Sequence, residues 1–264
     1  MRAEVIILAQ GNQSRLRGMS GYKQMLPLPR CGNIPIIGRT IQQLCRFLDP
    51  AAVITTVGWP KMGIPTVETL SGELPTCRGV TLPDPGNSSL KGISRYLEHR
   101  GVSHNFDATI VLLGDVVYSW ACLNAIMGCA MRTGATSRHG ASWGFVGTSD
   151  LNASGGELWG VAWAKQHDVH MLGSLADALL RHPPFEDEYQ PGQMRRWMSG
   201  WKRGDVAEHR DTLAEWGHYL AVDDYTRDID LPSHVAQIPA LSELAAADDA
   251  AHGMLWNPPT GAAA

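Results

Sequence analysis

The 264-residue sequence has no long apolar run. Its longest candidates, residues 5–9 and 109–114, fall far short of the roughly 18 apolar residues that a membrane-spanning helix needs. The first is also too short for a secretory signal core and runs directly into polar Gln10, Gly11 and Asn12, so neither a span nor a signal peptide is expected, and the expected location is the cytoplasm. No charge of one sign dominates: 22 Lys+Arg stand against 26 Asp+Glu, a formal net charge of −4. That balance argues against a surface that coats nucleic acid or anionic membrane. Cys31, Cys45, Cys77, Cys122 and Cys129 include no Cys-x-x-Cys pair, which points to buried thiols in a reducing compartment. Two active-site signatures are missing as well. There is no GxxxxGK[ST] phosphate loop and no GxGxxG dinucleotide fingerprint.

What the chain does have is a globular balance, 44% hydrophobic and 18% charged, with Gly 28 and Pro 16 supplying many turns. Residues 5–9, Val-Ile-Ile-Leu-Ala, look like a strand buried on both faces. Ile36, Ile37, Thr40, Ile41, Leu44 and Leu48 then place one apolar stripe on a helix. Residues 52–57 follow as a strand, short β-like pieces lie at 65–69 and 80–82, and Leu90, Ile93 and Leu97 mark a helix that Ser88 or Ser89 would cap. Residues 109–113 form the next buried strand, ending at Gly114-Asp115, and Trp120, Leu123, Met127 and Met131 continue as a helix. Beyond about residue 135 the expectation changes to mixed strands at 141–146 and 158–163, helices at 175–182 and 193–202, and a last strand at 218–222. A peripheral helix is expected over 244–251 and a frayed end over 258–264.

Alternating strands and helices of these lengths imply right-handed βαβ crossovers and an α/β sandwich: a Rossmann-like, mostly parallel mixed sheet flanked by helices. Ligands bind such sheets outside the carboxyl ends of the strands. The loop after the first strand and Asp115 after the later one therefore share a rim. That loop, Leu8-Ala9-Gln10-Gly11-Asn12-Gln13-Ser14-Arg15, offers glycine-permitted approach of backbone amides to a phosphate, with Arg15 and Lys23 as cations.

The segments LAQGNQSRL, GYKQMLPL and IPIIGRTIQQL, with VLLGD at residues 111–115, resemble the signature of the nucleotidyltransferases with a GT-A-like fold. That superfamily includes sugar-1-phosphate nucleotidyltransferases, phosphocholine cytidylyltransferases and methylerythritol-phosphate cytidylyltransferases. The resemblance covers residues 3–132 and, more loosely, 215–237. It implies a nucleotidyltransferase domain over 1–237, with a nucleotide-binding half at 1–132, an acceptor-side half at 133–214 and a closing strand with a second metal-ligand segment at 215–237; residues 238–264 would form a terminal helix and tail. It implies Mg²⁺ held by Asp115 and Asp230, nucleotide contacts from Leu8 to Ser14 and Gly114, and Arg15 and Lys23 as the charge-balancing catalytic pair. The reaction so implied moves a nucleotidyl group from an NTP to a phosphorylated small molecule with release of pyrophosphate; a homo-oligomer stays open.

Three departures accompany the match: Gln13 stands where the family has a second glycine, Tyr22 replaces a proline, and Ser233-His234 follow Asp230 in place of an acid. Two other functions therefore remain as alternatives, a glycosyltransferase using a nucleotide-sugar and a nucleotide-binding module without catalysis. Asn87, Ser88 and Ser89 serve either the base and ribose or an ordinary helix start. Glu157 serves either an acceptor hydroxyl or solvent. His167 and His170 have no Cys or third His nearby, which speaks against zinc. Trp197 and Trp201 among basic residues suit stacking on a base or sugar, or inward packing.

Overall fold

The computed structural model describes residues 2–9, 22–58, 75–82, 89–101, 106–134, 143–148, 157–165, 168–181 and 219–240. In chain order the elements are β1 (Ala3–Ala9), a 3₁₀ turn (Lys23–Met25), β2 (Pro27–Leu28), a second 3₁₀ turn (Pro29–Cys31), β3 (Ile34–Pro35), α1 (Ile36–Phe47), β4 (Val53–Gly58), β5 (Thr76–Thr81) and α2 (Ser89–Arg100). They continue with β6 (Ala108–Leu113), β7 (Val116–Val117), α3 (Trp120–Gly134), β8 (Trp143–Gly147), β9 (Leu158–Ala164), α4 (Asp168–Arg181), β10 (Tyr219–Ala221), β11 (Arg227–Asp228) and α5 (Pro232–Gln237). The expectations at residues 65–69, 193–202, 244–251 and 258–264 lie outside the described residues.

Seven strands form one sheet in the order β10-β8-β9-β6-β1-β4-β5. β1 pairs in parallel with both β4 and β6, and β5 extends β4 in parallel. β9 is antiparallel to β6 and β8, and β10 lies parallel to β8, so one strand of seven runs against the rest. The sheet is thus α/β, mixed and mostly parallel, as the alternation of elements implies.

Every residue of β1 is buried, which accounts for its unbroken apolar sequence. The two-residue period of a strand divides that sequence between two cores. Val5 and Ile7 join Ile37, Ile41 and Leu44 of α1 and Cys122, Leu123 and Ile126 of α3 on one face. Ile6 and Leu8 join Ile93, Tyr96 and Leu97 of α2 and Met171 and Leu175 of α4 on the other.

Charge is also buried at the opposite end of the sheet from the candidate rim. Glu4 is fully buried and accepts hydrogen bonds from Tyr96 Oη, Arg100 Nη1 and, at 2.9 Å, Arg78 Nη2. Arg100 also donates to Asp168 Oδ2 at 2.8 Å, tying the end of α2 to the start of α4. This anchor explains one difference from the sequence reading: the helix expected at 175–182 begins seven residues earlier, at Asp168. An acid in the first turn of a helix is favourable, and here it is also held by Arg100 and Trp163 Nε1. His170 belongs to helix α4.

The described cysteines are all free, as expected, but only Cys31, Cys122 and Cys129 are buried; Cys45 and Cys77 are half-buried. No helix among the described residues is long and apolar enough to cross a membrane.

Candidate active site

Gly114 follows β6 beside the end of β1, where its amide donates to Leu8 O at 2.8 Å. A Cβ on Gly114 would stand 2.7 Å from that same oxygen and 3.2 Å from Ala9 Cα, so the close approach of these strand ends requires glycine. Directly after it, Asp115 leads into β7. There Val116 and Val117 pair with Asp228 and Arg227 of β11, and Asp115 O accepts from the Ile229 amide at 3.1 Å. A pairing between segments more than a hundred residues apart thus carries Asp228 and Asp230 to the end of β6.

The extended backbone sorts the Asp228-Ile229-Asp230 side chains. Alternate residues share a side, so Ile229 is fully buried while both acids face the site. Ile229 packs in a third, smaller core with Leu26, Leu28, Ile36, Val117 and Ile238. This cluster joins the segment after the Lys23 turn, β7, β11 and the end of α5, so one patch of apolar contact holds the pieces of the site in register.

Lys23 is the centre of the constellation. Its Nζ lies 2.8 Å from Asp115 Oδ2, 2.9 Å from Asp228 Oδ1 and 2.8 Å from Asp230 Oδ1. The lysine is only 5% exposed. Burial alone would favour loss of its proton, but the charges of Asp115 and Asp228 and their hydrogen bonds outweigh it and hold the ammonium more firmly than in water. Asp228 shows the opposite balance. Burial, then the Asp115 charge, pushes its carboxyl up from 3.8 to about 7 against the pull of Lys23. One ammonium does not neutralise three crowded carboxylates.

The surroundings stiffen this arrangement. Tyr118, fully buried, receives the Leu113 amide at 2.8 Å and donates to Trp159 O at 2.8 Å, linking the last residue of β6 to β9. Arg39 Nη1 of α1 donates to Tyr118 O at 2.6 Å and to Gln43 Oε1 at 2.9 Å. Ser119 caps α3 by accepting the Cys122 amide at 2.8 Å. Asp224 then bonds the Ser119 hydroxyl and, at 2.7 Å, the Thr226 amide, clipping the approach to β11 onto α3. His234 Nδ1 of α5 accepts the Asp230 amide at 3.2 Å and lies 3.1 Å from Asp228 O. A single tautomer satisfies one of those two contacts.

The structure therefore brings together Lys23, Gly114, Asp115 and Asp230 and sets the buried end of β1, Leu8 and Ala9, beside them. Gln10, Gly11, Asn12, Gln13, Ser14 and Arg15 lie outside the described residues, as do Asn87 and Ser88. Ser89 is the first residue of α2. Glu157 is exposed just before β9, with its amide on Thr148 Oγ1 at 2.8 Å, and is not among the carboxylates that touch Lys23. Asp228, to which the sequence reading assigned no role, joins Asp115 and Asp230 around Lys23. The two-residue spacing of Asp228 and Asp230 around an apolar Ile229 was the signal that could have found it.

No family model and no curated protein sequence matches this chain. Solved structures similar to it include the following two. Mannose-1-phosphate geranyltransferase from Thermus thermophilus is 14% identical with a TM-score of 0.45, over 69% of this chain and 64% of that one. The 4-diphosphocytidyl-2C-methyl-D-erythritolsynthase from Anaerococcus prevotii is 8% identical with a TM-score of 0.47, over 92% of this chain and 98% of that one.

The fit of a metal to the site turns on its donors. Among the described residues no group of three or more His, Cys, Asp or Glu converges as a ready metal cage; the three carboxylates converge on an ammonium instead. The donor chemistry nevertheless suits a hard divalent cation, which takes oxygen ligands from carboxylates, phosphates and water. The raised proton affinity of Asp228 shows the unbalanced negative charge that such an ion would offset.

Proposed function

We propose that this protein transfers a nucleotidyl group from a nucleoside triphosphate to a phosphorylated small-molecule acceptor and releases pyrophosphate. The observation that carries the reading is the convergence of Asp115, Asp228 and Asp230 on Lys23 at the carboxyl ends of the parallel strands. Ligands collect at that edge of an α/β sheet, and the sequence around Leu8 to Arg15 and Lys23 resembles that of proteins with this activity.

The division of labour follows from charge. Asp115, Asp228 and Asp230 would hold Mg²⁺, which when bound supplies a Lewis acid for phosphate oxygens. Lys23 supplies a compact positive charge for the triphosphate, and Arg15 a planar guanidinium fork. The acceptor phosphate is already an anionic nucleophile, so the protein need only orient it in line with the α-phosphorus and stabilise charge on the departing pyrophosphate. No side chain is required to remove a proton. Gly114 keeps the β1 and β6 ends close, and the Tyr118 and Ser119 bonds keep Asp115 and β11 in register.

The test is pyrophosphate release from each of the four common NTPs with Mg²⁺ and a panel of sugar phosphates, phosphocholine and related monoesters. Release that needs both NTP and acceptor, and that falls by about 100-fold or more in Asp115→Asn, supports the proposal. NDP release from a nucleotide-sugar, or nucleotide binding without turnover, would replace it.

A further inference from the structure

The ammonium of Lys23 sits among the three carboxylates that would hold a divalent cation. Its side chain is 6% exposed and contacts all three acids at 2.8–2.9 Å. A divalent cation bound to those oxygens would stand within a few ångströms of the ammonium, and two like charges that close and poorly hydrated repel strongly. Lysine is a point charge on a flexible stem, and its turn is light: Met25 N bonds Tyr22 O at 2.9 Å and Leu26 N bonds Lys23 O at 3.2 Å.

A second observation marks the same turn as incompletely satisfied. Gln24, 1% exposed, has neither Nε2 nor Oε1 hydrogen-bonded, although its Cγ lies within reach of the Gly114 position that precedes Asp115. Buried amides without partners are rare and costly. With Lys23 seated among the acids, the adjacent Gln24 amide has no hydrogen-bond partner.

We propose that Lys23 is the resident counter-ion of Asp115, Asp228 and Asp230 and yields them to a divalent cation, its ammonium leaving the carboxylates as that ion enters. The proposal rests on the nucleotidyl-transfer reading for its choice of ion and site. With Lys23 seated and all three acids ionised, the four groups carry a charge of 1 − 3 = −2. With the ion seated, the carboxylates are better neutralised and Lys23 is free for an anionic ligand. Lysine and metal thus alternate at one place, and the lysine delivered to substrate is the one the metal displaces.

Mn²⁺ binding to the nucleotide-free protein, read from the electron paramagnetic resonance of free Mn²⁺, tests this without turnover. Lys23→Met is expected to bind one Mn²⁺ at least about tenfold more tightly than the wild type, and Lys23→Met with Asp115→Asn to lose that gain. Equal affinity in Lys23→Met and wild type, or binding by neither, overturns the proposal. Circular dichroism confirms that the variants fold. If Lys23→Met does not, the wild type answers alone: acylation of Lys23 by a succinimidyl ester, located by peptide mass spectrometry, rises several-fold with saturating Mg²⁺. An unchanged rate overturns the proposal. Neither measurement contains nucleotide, so a protein that passes here and yet releases no pyrophosphate refutes the transfer reading alone.

Discussion

Replacing Asp228 with asparagine should change how the stability of this protein depends on pH. The carboxyl of Asp228 titrates at about 7 in the folded state, up from 3.8, because burial and then the charge of Asp115 disfavour its ionised form. Between about pH 4 and pH 7 the folded chain therefore keeps a proton that the unfolded chain has released. Stability falls wherever the folded state binds more protons and pH rises, so this group makes the wild type less stable across that window. The difference of about three units, at about 1.4 kcal/mol each, sets a ceiling of about 4 kcal/mol on the decline. Lys23 does not mask it. Its folded-state affinity for the proton is raised, so its contribution is fully present below its ordinary value of 10.5 and constant through this window. Asparagine cannot ionise, yet its side-chain oxygen can still accept the Lys23 hydrogen bond. Urea unfolding of both proteins at intervals from about pH 4.5 to 8, with a chelator present, should give a wild-type curve that drops relative to Asp228→Asn and flattens above about pH 7. Parallel curves, within about 0.5 kcal/mol across the range, would refute the assignment of Asp228 to a crowded, under-neutralised site.

Two glycine substitutions should have opposite signs. Gly114→Ala places a methyl 2.7 Å from Leu8 O, where backbone must shift, and should cost about 1–3 kcal/mol by denaturation and reduce nucleotide affinity. Gly128→Ala, inside α3 with nothing within 4 Å of the added Cβ, should stabilise by about 0.5–1 kcal/mol. Arg100→Met leaves Glu4 and Asp168 buried with a lost partner each and should cost about 3–5 kcal/mol, read as a lower urea midpoint. Wild-type behaviour in that variant would contradict the anchoring role given to the pair.

The parts of the fold legible in the sequence were those whose residues answer to a period. β1 and β6 read as strands because both faces are buried, and α1 read as a helix because Ile37, Ile41 and Leu44 fall on one stripe. Local pattern was weak where an element is short or stabilised from afar. β7 and β11 have two residues each, too few for alternation, and are defined by their mutual pairing. The first half of α4 owes its start to Asp168, whose partner Arg100 is 68 residues away. The candidate site divides the same way. Asp115 announced itself at the end of a buried strand, and Lys23 followed a glycine-bearing loop. Asp228 sits among four aspartates in eight residues, and only the pairing of β11 with β7 distinguishes its role from that of Asp224, which clips Ser119. Composition could not show that the lysine and the acids would neutralise one another, because that depends on contacts across 205 and 207 residues of chain.

The proposed reaction moves the nucleotidyl group of a nucleoside triphosphate to an acceptor at Asp115, Asp228, Asp230 and Lys23. The direct measurement uses NTP labelled in the α-phosphate, Mg²⁺ and the acceptor panel, with products separated by charge. Label is expected in a new acceptor-linked species, with one pyrophosphate for each transfer and loss of both in Asp115→Asn. Label that stays in NTP with every acceptor, or transfer undiminished in Asp115→Asn, would contradict it.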